Sequence, residues 1–115
     1  MQNIMYLALG FFVLAIFFGF IVFIQLLCDR PSFKPAVFLH GLVATLGLGC
    51  LVTYTILHAG EKPIAALIVL LLAATGGLTL LNFDLRKKPI PKLLVLLHPL
   101  FALIGLGLLI AYLFK

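Results

Sequence analysis

Charge is what this chain has least of. Of its 115 residues, eight are Lys or Arg and three are Asp or Glu; charged residues make up 10% and hydrophobic residues 65%. A soluble domain carries about a quarter charged residues. A soluble fold of this length could not enclose so much apolar surface in one core. Lipid as the solvent removes that difficulty. Other absences close off chemistries. The two cysteines, Cys28 and Cys50, form no CxxC pair, and no CxxCH is present. There is no Ser/His/Asp constellation, no pair of carboxylates and no phosphate-cradling loop. The net charge of +5 comes from short clusters with no aromatic platform or recognition helix, so it is not a nucleic-acid footprint.

The few charges divide the chain. Asp29, Arg30 and Lys34 form one group, Glu61 and Lys62 a second, Asp84, Arg86, Lys87, Lys88 and Lys92 a third, and Lys115 stands apart. Between them lie four apolar stretches, about 4–27, 36–58, 63–83 and 93–114. Each is long enough, as a helix, to span a hydrocarbon core of about 30 Å. Helices are also the open-ended element that lipid tolerates. The expected fold is therefore all-α: one transmembrane domain, an integral membrane four-helix up-down bundle. The first stretch lacks the basic start and short apolar run of a signal peptide, so it is read as a mature helix. Arg30, Lys34, Arg86, Lys87, Lys88 and Lys92 lie on one side, against Lys62 and Lys115 on the other. That bias puts loops 28–35 and 84–92 in the cytoplasm, with both termini periplasmic or exterior. The bacterial inner membrane is the expected location. The lipid bilayer, with its anionic headgroups, is the expected partner of the basic residues.

The chain also repeats itself at an offset of 58 residues. Phe38–Ile56 and Leu96–Phe114 are identical at nine of 19 positions, including His40/His98, Ala44/Ala102, Gly47/Gly105, Gly49/Gly107 and Tyr54/Tyr112. The register holds upstream at Gly19/Gly77, Pro31/Pro89, Lys34/Lys92 and Val37/Val95. The simplest reading is a duplicated two-helix hairpin, about 4–58 and 63–114. Both copies then insert with one orientation, as a parallel repeat. On a helical projection His40, Ala44, Gly47, Leu51, Tyr54 and His58 fall in one stripe. His98, Ala102, Gly105, Leu109 and Tyr112 form its counterpart on the fourth helix.

Small residues beneath a histidine have two readings. One is close helix packing. The other is a slot for a flat cofactor, in which His40 and His98 ligate heme iron and Ala44, Gly47, Ala102 and Gly105 leave room for the ring. Here the chain resembles four-helix transmembrane b-type cytochromes, on the strength of His40 and His98 on alternate helices with small residues nearby. The resemblance implies electron transfer through one b-type heme near the cytoplasmic side. The chain departs from the diheme pattern, in which one helix carries two ligands 13 or 14 residues apart; His40 and His58 are 18 apart. A quinone or a metal at the same histidines, and a purely structural histidine pair, remain open beside the heme.

The remaining polar residues have quieter expectations. His58 reads as an interfacial histidine. Gln25, Asn82 and Asp84 suit capping or headgroup contact, or else a quinone ring or heme propionates. Tyr54 and Tyr112 suit an aromatic belt. Thr45, Thr53, Thr55, Thr75 and Thr79 suit bonds back to their own helices. Two further functions compete with the heme protein. One is a non-catalytic accessory subunit of a larger respiratory-type membrane complex. The other is a small transporter or channel, which the lack of any acidic residue midway along an apolar stretch disfavours.

Overall fold

The computed structural model describes residues 2–115, and they form four helices. These are α1 (Gln2–Leu27), α2 (Lys34–Leu57), α3 (Ile64–Leu85) and α4 (Lys92–Leu113). All four are long and apolar enough to cross a membrane. The molecule measures 45 × 23 × 20 Å, with the long axis along the helices. Large apolar side chains cover the outside, among them Phe17, Phe20, Leu72 and Leu103. An apolar exterior of this extent is not that of a soluble monomer.

The helix ends follow from local chemistry. Pro35 sits in the first turn of α2, where its missing N–H costs nothing. α1 and α3 end alike. The Arg30 amide donates to the Gln25 carbonyl (2.9 Å) and the Asp29 amide to that of Leu26 (3.3 Å). Correspondingly, Lys88 donates to Phe83 (3.0 Å) and Lys87 to Asp84 (3.2 Å). This double bond pattern needs a left-handed residue just beyond the helix. Asp29 (φ 57°) and Lys87 (φ 55°) adopt that conformation without being glycine. α2 ends sooner than its apolar run, because His58 is extended and Gly60 turns the chain at φ +122°. Pro99 interrupts the hydrogen bonding of α4 beside His98. All five threonines named above donate to the carbonyl four residues earlier.

Packing is tight within each hairpin and looser between them. α1 lies along α2 and α3 along α4, while α1 with α4 and α2 with α3 meet more briefly. α2 and α4 therefore stand on a diagonal. Within the first hairpin, Ala8, Phe12, Ala15 and Gly19 face α2, and large meets small across the seam. Phe12 covers Gly47, where an added Cβ would lie 2.9 Å from its ring, and His40 covers Gly19. The second hairpin repeats this with Ala66, Leu70, Ala73 and Gly77. Leu70 covers Gly105, where a Cβ would lie 2.7 Å away, and His98 covers Gly77. The buried core lies toward the chain termini, built on Met5, Phe12, Leu51, Leu70, Leu106 and Leu109. The other half of the bundle holds the histidines.

Crossed ion pairs close that other half. Lys34 of α2 pairs with Asp84 of α3 at 2.7 Å, and Lys92 of α4 with Asp29 after α1 at 2.7 Å. Ser32 donates to Asp84 as well (2.7 Å). Each hairpin thus gives one lysine and one carboxylate to the other.

Candidate functional site

His40 and His98 each lie six residues after the first residue of their helix, about 9 Å in. The diagonal of α2 and α4 turns the two rings toward each other. Their centroids are 5.9 Å apart and their planes perpendicular at 89°. Both rings are half-buried. Each is anchored by its own hairpin. Nδ1 of His40 is 2.7 Å from the Ala15 carbonyl, and Nδ1 of His98 is 2.7 Å from the Ala73 carbonyl.

A carbonyl only accepts, so each Nδ1 must be the donor. The neutral ring then carries its lone pair on Nε2. The result is two Lewis-basic nitrogens, on rings in contact, neither of which can donate to the other. An N–H bond from Nδ1 to a backbone carbonyl is also what fixes the tautomer of a metal-bound histidine.

The small residues of the stripe take different places. Ala44 and Ala102 are half-buried one turn beyond the histidines. Gly47 and Gly105 are buried, with the Phe12 ring and the Leu70 side chain in the space beside them. The glycines that face the imidazoles are Gly19 and Gly77. A Cβ there would stand 2.9 Å from Cε1 of His40 and 2.8 Å from Cε1 of His98. Sequence reasoning missed this pairing, although Gly19 and Gly77 share the 58-residue register of the histidines.

The other candidates have local tasks. Gln25 Oε1 accepts the Phe33 amide at 2.8 Å, and Asp84 is held by Ser32 and Lys34. Asn82 is exposed, and its carbonyl accepts the Arg86 amide. His58 lies at the far end of the bundle, stacked on Tyr54. Tyr54 and Tyr112, expected as aromatic-belt residues, share a hydrogen bond of 2.9 Å.

Two imidazoles are too few to hold a bare metal ion, which wants four or more ligands. Among the described residues, no group of three or more His, Cys, Asp or Glu side chains gathers to do so. An iron porphyrin would bring most of its ligands with it, and His40 and His98 would be the residues to hold it. The two Nε2 atoms left free by the Nδ1 bonds would suit that donor set. No protein-family model matches the chain, and no curated protein or solved structure matches it.

Proposed function

We propose that the chain is an integral membrane protein made from a duplicated helical hairpin, and that it carries a b-type heme between His40 and His98. The observation that supports the heme is the tautomer. Two rings on diagonal helices each give their Nδ1 proton to a carbonyl, which leaves two basic Nε2 atoms in the bundle interior. The duplication is supported by contacts that recur at 58 residues: histidine to carbonyl, large residue to glycine, and the left-handed helix ends.

The heme, when bound, supplies a one-electron couple. The residues of the chain do the rest. Ala15 and Ala73 orient the two imidazoles. Gly19 and Gly77 let those rings lie against α1 and α3. Ala44 and Ala102 keep the next turn narrow, and Gly47 and Gly105 lock Phe12 and Leu70 into each hairpin. The electron partner is a quinone or another membrane subunit. The basic residues set loops 28–35 and 84–92 on the cytoplasmic side of a bacterial inner membrane, with the termini periplasmic.

The test is an absorption spectrum of the purified protein, oxidised and then reduced with dithionite. A Soret band of bis-histidine type is expected, lost in both His40→Ala and His98→Ala. A colourless preparation from heme-replete cells would falsify the heme. If that protein also purified in fixed ratio with other membrane proteins, it would be read as an accessory subunit.

A further inference from the structure

At the end of the bundle away from the histidine pair, a cavity of about 340 Å³ is lined by Tyr54, His58, Glu61, Tyr112, Leu113 and Lys115. Its volume is at the lower end of small-molecule sites, about 300 Å³ and upward. One wall is aromatic and hydrogen-bonded, and the side formed by Glu61 and Lys115 is open to water. The Tyr112 hydroxyl donates to the Glu61 carbonyl at 2.7 Å, so the proton between the two tyrosines comes from Tyr54 (2.9 Å). That relay sets both rings, whose centroids are 6.1 Å apart at 79°. His58 lies flat on Tyr54, 4.5 Å away with 17° between the planes, and so braces it.

The chemistry of these walls selects for positive charge. A tyrosine face is the negative side of a ring quadrupole, and a carboxylate beside it adds a full charge. The cavity already holds a cation of its own. Lys115 Nζ lies 5.0 Å from the centre of the Tyr112 ring and is ion-paired with the Glu61 carboxylate. Both partners are open to water, with side-chain exposures of 51% for Lys115 and 71% for Glu61. An exposed pair of this kind is weak and readily exchanged.

We propose that this cavity is a binding site for an organic ammonium group, and that the Lys115 ammonium is an internal stand-in for it. The ligand is a choline-like cation, free or as the headgroup of a phospholipid. Its charge takes the place of Nζ between the Tyr112 face and Glu61, while its methyl groups meet Leu113. The site is independent of the heme at the other end.

The chain has three tyrosines and no tryptophan, so tyrosine emission reports directly on this cluster once Tyr6→Phe removes the remaining one. Titrate that protein in maltoside detergent with choline chloride, using sodium chloride at equal strength as the control. In parallel, compare its emission in phosphatidylcholine and phosphatidylglycerol nanodiscs. A saturable response to choline and not to sodium is expected. Lys115→Ala should lower the half-saturating concentration about threefold or more, since a competing occupant is gone. Glu61→Gln should raise it about tenfold, and Tyr112→Leu should abolish the response. Tyr112→Phe, which keeps the ring face but loses the bond to Glu61, should weaken binding less than Tyr112→Leu does. Silence with free choline but a phosphatidylcholine-specific signal showing the same variant pattern assigns the site to lipid headgroups. No response in either format, an equal response to sodium, or a Lys115→Ala affinity that is unchanged or weaker overturns the proposal.

Discussion

Gly19 and Gly77 stand opposite imidazoles with no room for a methyl group, whereas Gly49 and Gly107 have nothing within 4 Å of where a Cβ would be. The contrast separates two kinds of glycine that look the same in the sequence of an apolar helix. Gly19→Ala forces the His40 ring away from the Ala15 carbonyl and should destabilise the protein by about 1–3 kcal/mol. Thermal unfolding in detergent measures this, and if the proposed heme is bound its content should fall with it. Gly49→Ala should be neutral or stabilising by up to about 1 kcal/mol. Equal effects at the two sites would refute the packing assignment. The tyrosine relay makes a second residue-scale prediction. Tyr112→Phe takes the acceptor from the buried Tyr54 hydroxyl and also loses the bond to Glu61, whereas Tyr54→Phe leaves the bond from Tyr112 to Glu61 in place. The first should cost about 1 kcal/mol more than the second in the same assay. The histidine pair was legible in the sequence because like residues recur at one depth on equivalent helices. Its partners were not, because a backbone carbonyl such as that of Ala15 has no side-chain signature.

Two helices end on a left-handed residue that carries a side chain, and this is a defect that can be relieved. Lys87 at φ 55° pays the larger steric cost, since aspartate tolerates this region better than lysine. Lys87→Gly should therefore stabilise the protein by about 1 kcal/mol in a thermal melt. Asp29→Gly should gain less, because it also removes the carboxylate that pairs with Lys92. The two crossed ion pairs differ in the same graded way. The Asp84 side chain is 15% exposed and bonded to Ser32 and Lys34, while that of Asp29 is 82% exposed. Asp84→Asn should cost about 1–3 kcal/mol whatever the salt. Asp29→Asn should cost less than about 1 kcal/mol, and that little should vanish when the unfolding is repeated at high salt. The four apolar stretches follow from hydropathy, yet their ends differ from those of the helices by up to two residues. α3, for instance, runs past Asp84 to Leu85 because its cap lies in the chain bonds of Lys87 and Lys88 rather than at a glycine.

The four helices are joined so that both hairpin turns and all the crossed ion pairs share one end. If that end faces the cytoplasm, as the lysine and arginine bias proposes, exposed Cys28 is on the inside. A membrane-impermeant maleimide should then leave Cys28 unlabelled in intact spheroplasts and label it after permeabilisation; labelling of intact cells would reverse the orientation. The diagonal of α2 and α4 could be read from the sequence, since short loops leave few other arrangements. The unequal packing within and between hairpins could not, because Phe12 and Leu70 are unlike residues that do one task in the two halves. That inequality bears on assembly. Each hairpin seals its own seam with Phe12 on Gly47 or Leu70 on Gly105, and offers its neighbour one histidine, one tyrosine, one lysine and one carboxylate. Nothing in that offer identifies the molecule it came from. Two chains can therefore trade hairpins and keep these contacts, with the connection from His58 to Pro63 holding the halves in one molecule. Shortening that connection is a route from a self-contained monomer to an intertwined pair of chains.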